Sequence, residues 1–78
     1  MRNEVIEILD EAVSNARAAG HEVTGWTMQS SAEGYTAWLY HEDDERQYYL
    51  FDDVEVVTNP LAAAKACAAR LRVLALVD

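Results

Sequence analysis

The densest group of side chains that could do chemistry is the run from His41 to Glu45, one histidine followed by four acids. Imidazole and carboxylate groups are the usual protein ligands of zinc and calcium. Neighbouring residues of a strand point to opposite faces, and no second ligand pair stands at a metal-binding spacing. The acids also do not alternate around a glycine, as they do in a calcium-binding loop. We therefore expect no metal and no cofactor.

Cys67 is the only cysteine, and it is the one residue that suggests a nucleophile. A nucleophile needs a base beside it, and neither His21 nor His41 is near Cys67 in sequence. The three glycines do not form a phosphate-binding loop either. We expect no catalytic residue and no enzyme activity, with Cys67 a small buried apolar side chain. A single cysteine excludes an intramolecular disulfide and favours a reducing, cytoplasmic setting.

The acidic residues outnumber the basic ones by 14 to 6, which gives a formal net charge of -8. Such a surface repels nucleic acid and anionic membrane and favours a protein partner with a basic surface. The acids that we expect to contact this partner are Glu42, Asp43, Asp44, Glu45, Asp52 and Asp53. Their carboxylates imitate phosphate charge, since duplex DNA carries one negative charge per ~1.7 Å of axis. The alternatives are a merely solvated face and a salt-adapted proteome.

Two helices and three strands are predicted to position these side chains. Residues 3–19 have apolar side chains at helical spacing, with Asn3 as N-cap and Gly20 ending the helix. Asn59 and Pro60 are typical of the start of a second helix. Its buried stripe is predicted to be Leu61, Ala64, Ala68, Leu71 and Leu74.

Between the helices, β-favouring residues alternate with turn residues and predict an antiparallel meander. The strands are expected at residues 22–30, 35–41 and from 46 or 47 to 51. Residues 52–58 fit either a further sheet segment or a crossover to the last helix. The chain therefore reads as one α+β domain over residues 1–78, with the order helix, three strands, helix (αβββα).

Both faces of the second predicted strand are apolar. Trp38 and Tyr40 point to one face, whereas Ala37 and Leu39 point to the other. Either one helix covers each face in a three-layer sandwich, or both helices cover one face in a two-layer sandwich. The second arrangement exposes an aromatic face, typical of an interface. Trp38 and Tyr40 are therefore predicted to bind a partner, which includes the possibility of a homodimer.

Two families share this order of elements. Double-stranded-RNA-binding domains need basic residues at the second helix and in a strand loop, where this chain has Asn59, Pro60 and the acidic residues 42–45. We therefore expect no direct binding of nucleic acid.

The chain resembles the phage ABA-sandwich domain family more closely. The resemblance covers most of the chain and lies in Gly20, the strand Tyr35-Thr36-Ala37-Trp38-Leu39-Tyr40, the segment Thr58-Asn59-Pro60-Leu61-Ala62, and the alanine-rich helix that follows. It implies a phage or prophage origin and offers no catalytic residues to carry over.

The sequence thus predicts a small acidic phage-type protein that binds and blocks a basic nucleic-acid-handling complex. An anti-CRISPR inhibitor that acts partly by DNA mimicry on a CRISPR effector subunit fits this description. We expect it in the cytoplasm, that of the host cell if it is phage-encoded, and not in a membrane. The alternative is a homo-oligomerising accessory module whose acidity serves solubility.

Overall fold

A helix, three antiparallel strands and a second helix follow one another, which confirms the predicted α+β fold. The computed structural model describes the backbone of residues 3–77 and the side chains of residues 3–74. The elements are α1 (Glu4–Ala18), β1 (Gly25–Ser31), β2 (Gly34–Glu42), β3 (Gln47–Tyr49) and α2 (Pro60–Val77).

Local hydrogen bonds fix both ends of α1. The side chain of Asn3 accepts from the backbone N–H groups of Val5 and Ile6 at 3.0 and 3.4 Å. At the other end Gly20 has φ +95°, a conformation that favours glycine. This lets the N–H of His21 donate to the carbonyl of Ala16 at 3.0 Å, which closes the helix. The predicted helix 3–19 is confirmed to within one residue at each end.

Asn59 caps α2, as predicted, by accepting from the N–H of Ala62 at 2.8 Å. The predicted buried stripe was partly wrong, since Leu61, Ala68 and Leu74 are only half-buried. The helix packs against both α1 and β2, so its buried face is broad and is rotated around the helix axis relative to the predicted stripe. Within residues 60–74, the buried positions are Ala63, Ala64, Cys67 and Leu71.

Residues 22–24 were predicted as strand, but β1 begins only at Gly25. The Arg17 side chain explains the difference, because it donates to the carbonyls of Val23 and Thr24 at 2.9 and 3.2 Å. These contacts turn the segment toward α1 and bury Val23 in the core. A tight turn, with Ser31 opposite Gly34, then leads into β2.

The third strand is shorter than predicted, ending at Tyr49 rather than at Phe51. Phe51 leaves the sheet because its side chain is buried in the core. The chain returns at Val57, which exchanges two backbone hydrogen bonds with Tyr35 at 2.7 and 3.0 Å. Residues 52–58 therefore first bulge away from the sheet and then pair with it again at Val57. They are neither only a further sheet segment nor only a crossover to the last helix, the two predicted alternatives.

The two helices lie on the same side of the sheet. They contact each other, and their buried residues form one core with Ala37 and Leu39 of β2. Trp26 and Met28 of β1 lie opposite Leu39 and Ala37 and pack against the same core. The molecule is therefore a two-layer sandwich, with sheet order β1-β2-β3 and one sheet face that the helices do not cover.

Candidate functional site: the acidic hairpin tip and the open sheet face

The hairpin tip, residues 42–47 between β2 and β3, is held in one conformation by Asp43. Its carboxylate accepts from the N–H groups of Glu45 and Arg46, both at 2.9 Å. Its own N–H donates to the carbonyl of Arg46 at 3.0 Å. The hydrogen bonds from the backbone of Arg46 and then Glu45 lower the pKa of Asp43 below its usual 3.8. Asp43 therefore shapes the loop, and its charge is partly satisfied inside it.

Three other carboxylates at the tip are exposed, those of Glu42, Asp44 and Glu45. Arg46 is the nearest cation in sequence, but its guanidinium lies 4.8 Å from the centre of the Tyr48 ring and donates to the Tyr48 hydroxyl. It forms no ion pair with any of the three carboxylates, and the tip therefore presents free negative charge on a fixed backbone.

Asp52 and Asp53 do not join this tip. Asp53 accepts a hydrogen bond from Arg70 of α2 at 2.5 Å, which places it on the helical side of the molecule. The same hydrogen bond lowers the pKa of Asp53. Asp52 is exposed beside it, in the segment that bulges from the sheet. The six acids predicted as one contact surface thus occupy two places, and only those at residues 42–45 lie together.

The open sheet face, formed by Thr27, Trp38, Tyr40 and Tyr49, lies opposite the helices. Trp38 and Tyr40 are half-buried without packing against the core. Tyr49 lies directly across from Tyr40, is 48% exposed, and stacks on Trp38 with ring centroids 5.2 Å apart. These rings share one face of the sheet, and Tyr49 is a member that was not among the predicted partner-binding residues.

The tip and the open sheet face are continuous. Trp38, Tyr40 and Glu42 occupy alternate positions of β2, so their side chains leave the same face of the sheet at intervals of about 6.7 Å. The N–H of Glu42 also donates to the hydroxyl of Thr24 at 2.8 Å, which holds the base of the tip against the chain leading into β1. The aromatic row, Trp38 and Tyr40 of β2 with Tyr49 beside them, therefore ends at the carboxylate of Glu42, whose backbone is held by Thr24.

Neither Cys67 nor His41, which were considered for catalysis and metal binding, lies on the open sheet face. Cys67 is fully buried, and burial raises the pKa of its thiol to about 11. His41 stacks on Tyr48, and its Nε2 lies 3.6 Å from a carboxylate oxygen of Glu22. Within residues 3–74, no three histidine, cysteine or acidic side chains are grouped so that they could hold a metal ion.

No helix in the described part of the chain is both long and apolar enough to cross a bilayer. Comparisons of the chain with protein-family models, curated proteins and solved structures return no match. The resemblance to the phage ABA-sandwich family therefore stays a prediction, based on the residues quoted for it.

Proposed function

We propose that this protein binds a basic protein surface through the acidic hairpin tip and the open sheet face, and thereby blocks a nucleic-acid-handling complex. The observation that supports this proposal is the continuity of free carboxylates, at Glu42, Asp44 and Glu45, with the aromatic row of the open sheet face. In its most specific form the protein is a phage-encoded inhibitor of a CRISPR effector, acting in the cytoplasm of the host cell.

The tip supplies the electrostatic part of such binding. A groove that holds a nucleic-acid backbone is lined by lysine and arginine, which carboxylates attract as phosphates do. The turn made by Asp43 fixes the backbone that carries the neighbouring carboxylates, so little backbone freedom is lost on binding. Attraction of this kind accelerates association and weakens as salt increases.

The open sheet face supplies the apolar part. Tryptophan and tyrosine are enriched among the residues that dominate interface energies. Arginine side chains of a basic partner also stack on aromatic rings, so Trp38 and Tyr49 suit the same partner as the carboxylates do. An aromatic surface beside negative charge accounts for specificity better than charge alone.

Capture experiments test this proposal. The tagged protein is incubated with lysate of a bacterium that carries CRISPR systems, and captured proteins are identified by mass spectrometry at low and high salt. We expect a nucleic-acid-binding complex that is retained at low salt and lost at high salt. The purified complex should then lose its nucleic acid when the protein is added. A captured complex that still binds nucleic acid normally would contradict the blocking function.

The open sheet face also favours a second candidate, self-association. Two copies could pair their aromatic rows, with the acidic tips serving solubility. Apolar self-association is insensitive to salt or strengthened by it, unlike electrostatic capture. Sedimentation at several salt concentrations separates the two: a salt-independent dimer disrupted by Tyr49→Lys would favour the accessory module.

A further inference from the structure

A cleft of about 460 Å³ lies between the two helices, on the side of the molecule away from the open sheet face. Its apolar lining includes Ile8 and Ala12 of α1 and Ala68 and Leu71 of α2. Ala12 is 2% exposed and Leu71 is 8% exposed, so the floor of the cleft is part of the packed core. Pockets that bind small molecules usually measure about 300–1,000 Å³ and have mainly apolar walls.

The polar residues around this cleft are Glu11, Asn15, His21, Lys65 and Arg72. Lys65 and Arg72 stand seven residues apart on α2, so they lie on one face of the helix about 10 Å apart along its axis. Two cations thus face the cleft with one carboxylate, that of Glu11, and one imidazole, that of His21. Among the described lining residues the balance of full charges is positive, although the whole chain is strongly acidic.

Lys65 and Arg72 differ from the arginines at positions 17, 46 and 70 in having no side-chain partner among residues 3–74. Arg17 binds two backbone carbonyls, Arg46 binds Tyr48, and Arg70 binds Asp53. Within residues 3–74, neither Lys65 nor Arg72 forms a side-chain hydrogen bond or an ion pair. The chain has more acids than cations, so a cation could readily have been paired within the protein. Two cations left unpaired at an apolar cleft are therefore suited to bind an anion that is not part of the protein.

We propose that this cleft binds a small organic anion with an apolar body, of the chemical class of a medium-chain carboxylate. The apolar chain lies on Ala12, Ala68 and Leu71, and the carboxylate is held by Lys65 and Arg72. Glu11 opposes the bound anion, which keeps its carboxylate on the α2 side of the cleft. This site is independent of the proposed protein-binding function, because it lies on the opposite layer of the sandwich.

Three probes of equal chain length test the proposal: octanoate, 1-octanol and octyltrimethylammonium. Each is titrated into the full chain and followed by amide NMR shifts. We expect octanoate to bind with a stoichiometry of one, about tenfold more tightly than octyltrimethylammonium, and to shift the resonances of residues lining the cleft. Octanoate that binds no more tightly than octanol, or not at all, would overturn the proposal, as would shifts confined to the open sheet face.

Variants identify the groups responsible. Lys65→Gln and Arg72→Gln should each weaken octanoate binding about threefold while octanol binding stays unchanged. Arg46→Gln is the matched control, because it removes the same charge at the hairpin tip, and it should have no effect. Glu11→Gln should tighten octanoate binding by about threefold.

Filling the cleft with Ala68→Leu should abolish the binding of octanoate and octanol alike, with circular dichroism confirming that the helices remain. Lys65 and Arg72 are at the surface of the cleft, so their variants test the charge even if Ala68→Leu fails to fold. Equal effects of Lys65→Gln and Arg46→Gln on octanoate binding would overturn the assigned role of Lys65.

Discussion

Trp38 and Tyr49 stack on each other across β2 and β3, with ring centroids 5.2 Å apart and planes inclined by 25°. Both rings lie on the sheet face that the helices leave uncovered, and the indole N–H of Trp38 is buried without an acceptor. The exposed part of this stacked pair, above all the Tyr49 ring, is available to a partner.

Replacing Trp38 by alanine should weaken partner binding strongly, by about 2 kcal/mol or more, because a tryptophan anchor is lost. The cost to the fold should be smaller, since this ring does not belong to the core. Trp26→Phe is the control, because Trp26 packs on the helical side and donates to Asp10 at 3.0 Å. It should lower the melting temperature while leaving affinity intact. Equal affinity losses in the two variants would contradict an interface on the open sheet face.

Asp43 and Asp44 carry the same charge but have different structural roles. Asp43→Ala removes two hydrogen bonds of the turn and should lower thermal stability, whereas Asp44→Ala should not. The folded-state pKa of Asp43 lies below 3.8, so its contribution is complete above that pH and is lost as the pH falls through the folded value. Denaturant titrations of both variants between neutral and acidic pH measure this difference. A pH dependence that is the same in Asp43→Ala and wild type would contradict it.

Gly34 and Gly25 should respond very differently to alanine. A Cβ at Gly34 would lie 2.2 Å from the carbonyl oxygen of Val57, at a φ of +143°. A Cβ at Gly25 would meet Tyr40 at 3.5 Å, an ordinary contact. We expect Gly34→Ala to cost about 2 kcal/mol or more and Gly25→Ala less than about 1 kcal/mol in urea unfolding. Similar costs would show that the Tyr35–Val57 pairing is not formed as described.

The Cys67 thiol should make the free energy of unfolding decrease at alkaline pH. Its pKa is raised from 9.0 to about 11 by burial, so the folded state holds the proton more tightly than the unfolded state. The contribution of this thiol to the free energy of unfolding should stay constant below pH 9.0 and fall by about 2–3 kcal/mol as the pH rises to about 11. Cys67→Ala should lack this component, which a comparison of the two pH profiles measures. Identical profiles would contradict it.

The elements were predictable because their signals are local. Asn3, Gly20 and Asn59 act on their own helix ends, and the structure uses all three as the sequence suggests. The end of β3 was not predictable, because Phe51 leaves the sheet to enter a core built by distant helices. The pairing of Val57 with the sheet was not predictable either, because its partner Tyr35 is remote in sequence.

The candidate site was predictable in part. Acids at residues 42–45 and aromatic residues of β2 follow from the sequence, but the pairing of Asp53 with Arg70 depends on how α2 packs. The turn role of Asp43 had a local signal, since an aspartate often accepts from the backbone two and three residues ahead. The two cations of the cleft also had a local signal, because the spacing of Lys65 and Arg72 places them on one face of α2.

The placement of the charge at the hairpin tip is the central claim, and two triple variants of equal net charge test it most directly. One carries Glu42→Lys, Asp44→Lys and Glu45→Lys, and the other carries Glu4→Lys, Glu33→Lys and Glu55→Lys, at exposed positions outside the tip. Affinity for the captured partner is measured at low salt. We predict that the tip variant loses binding and that the scattered variant retains most of it. Equal losses in both variants would contradict the account, because net charge rather than the hairpin tip would then govern recognition.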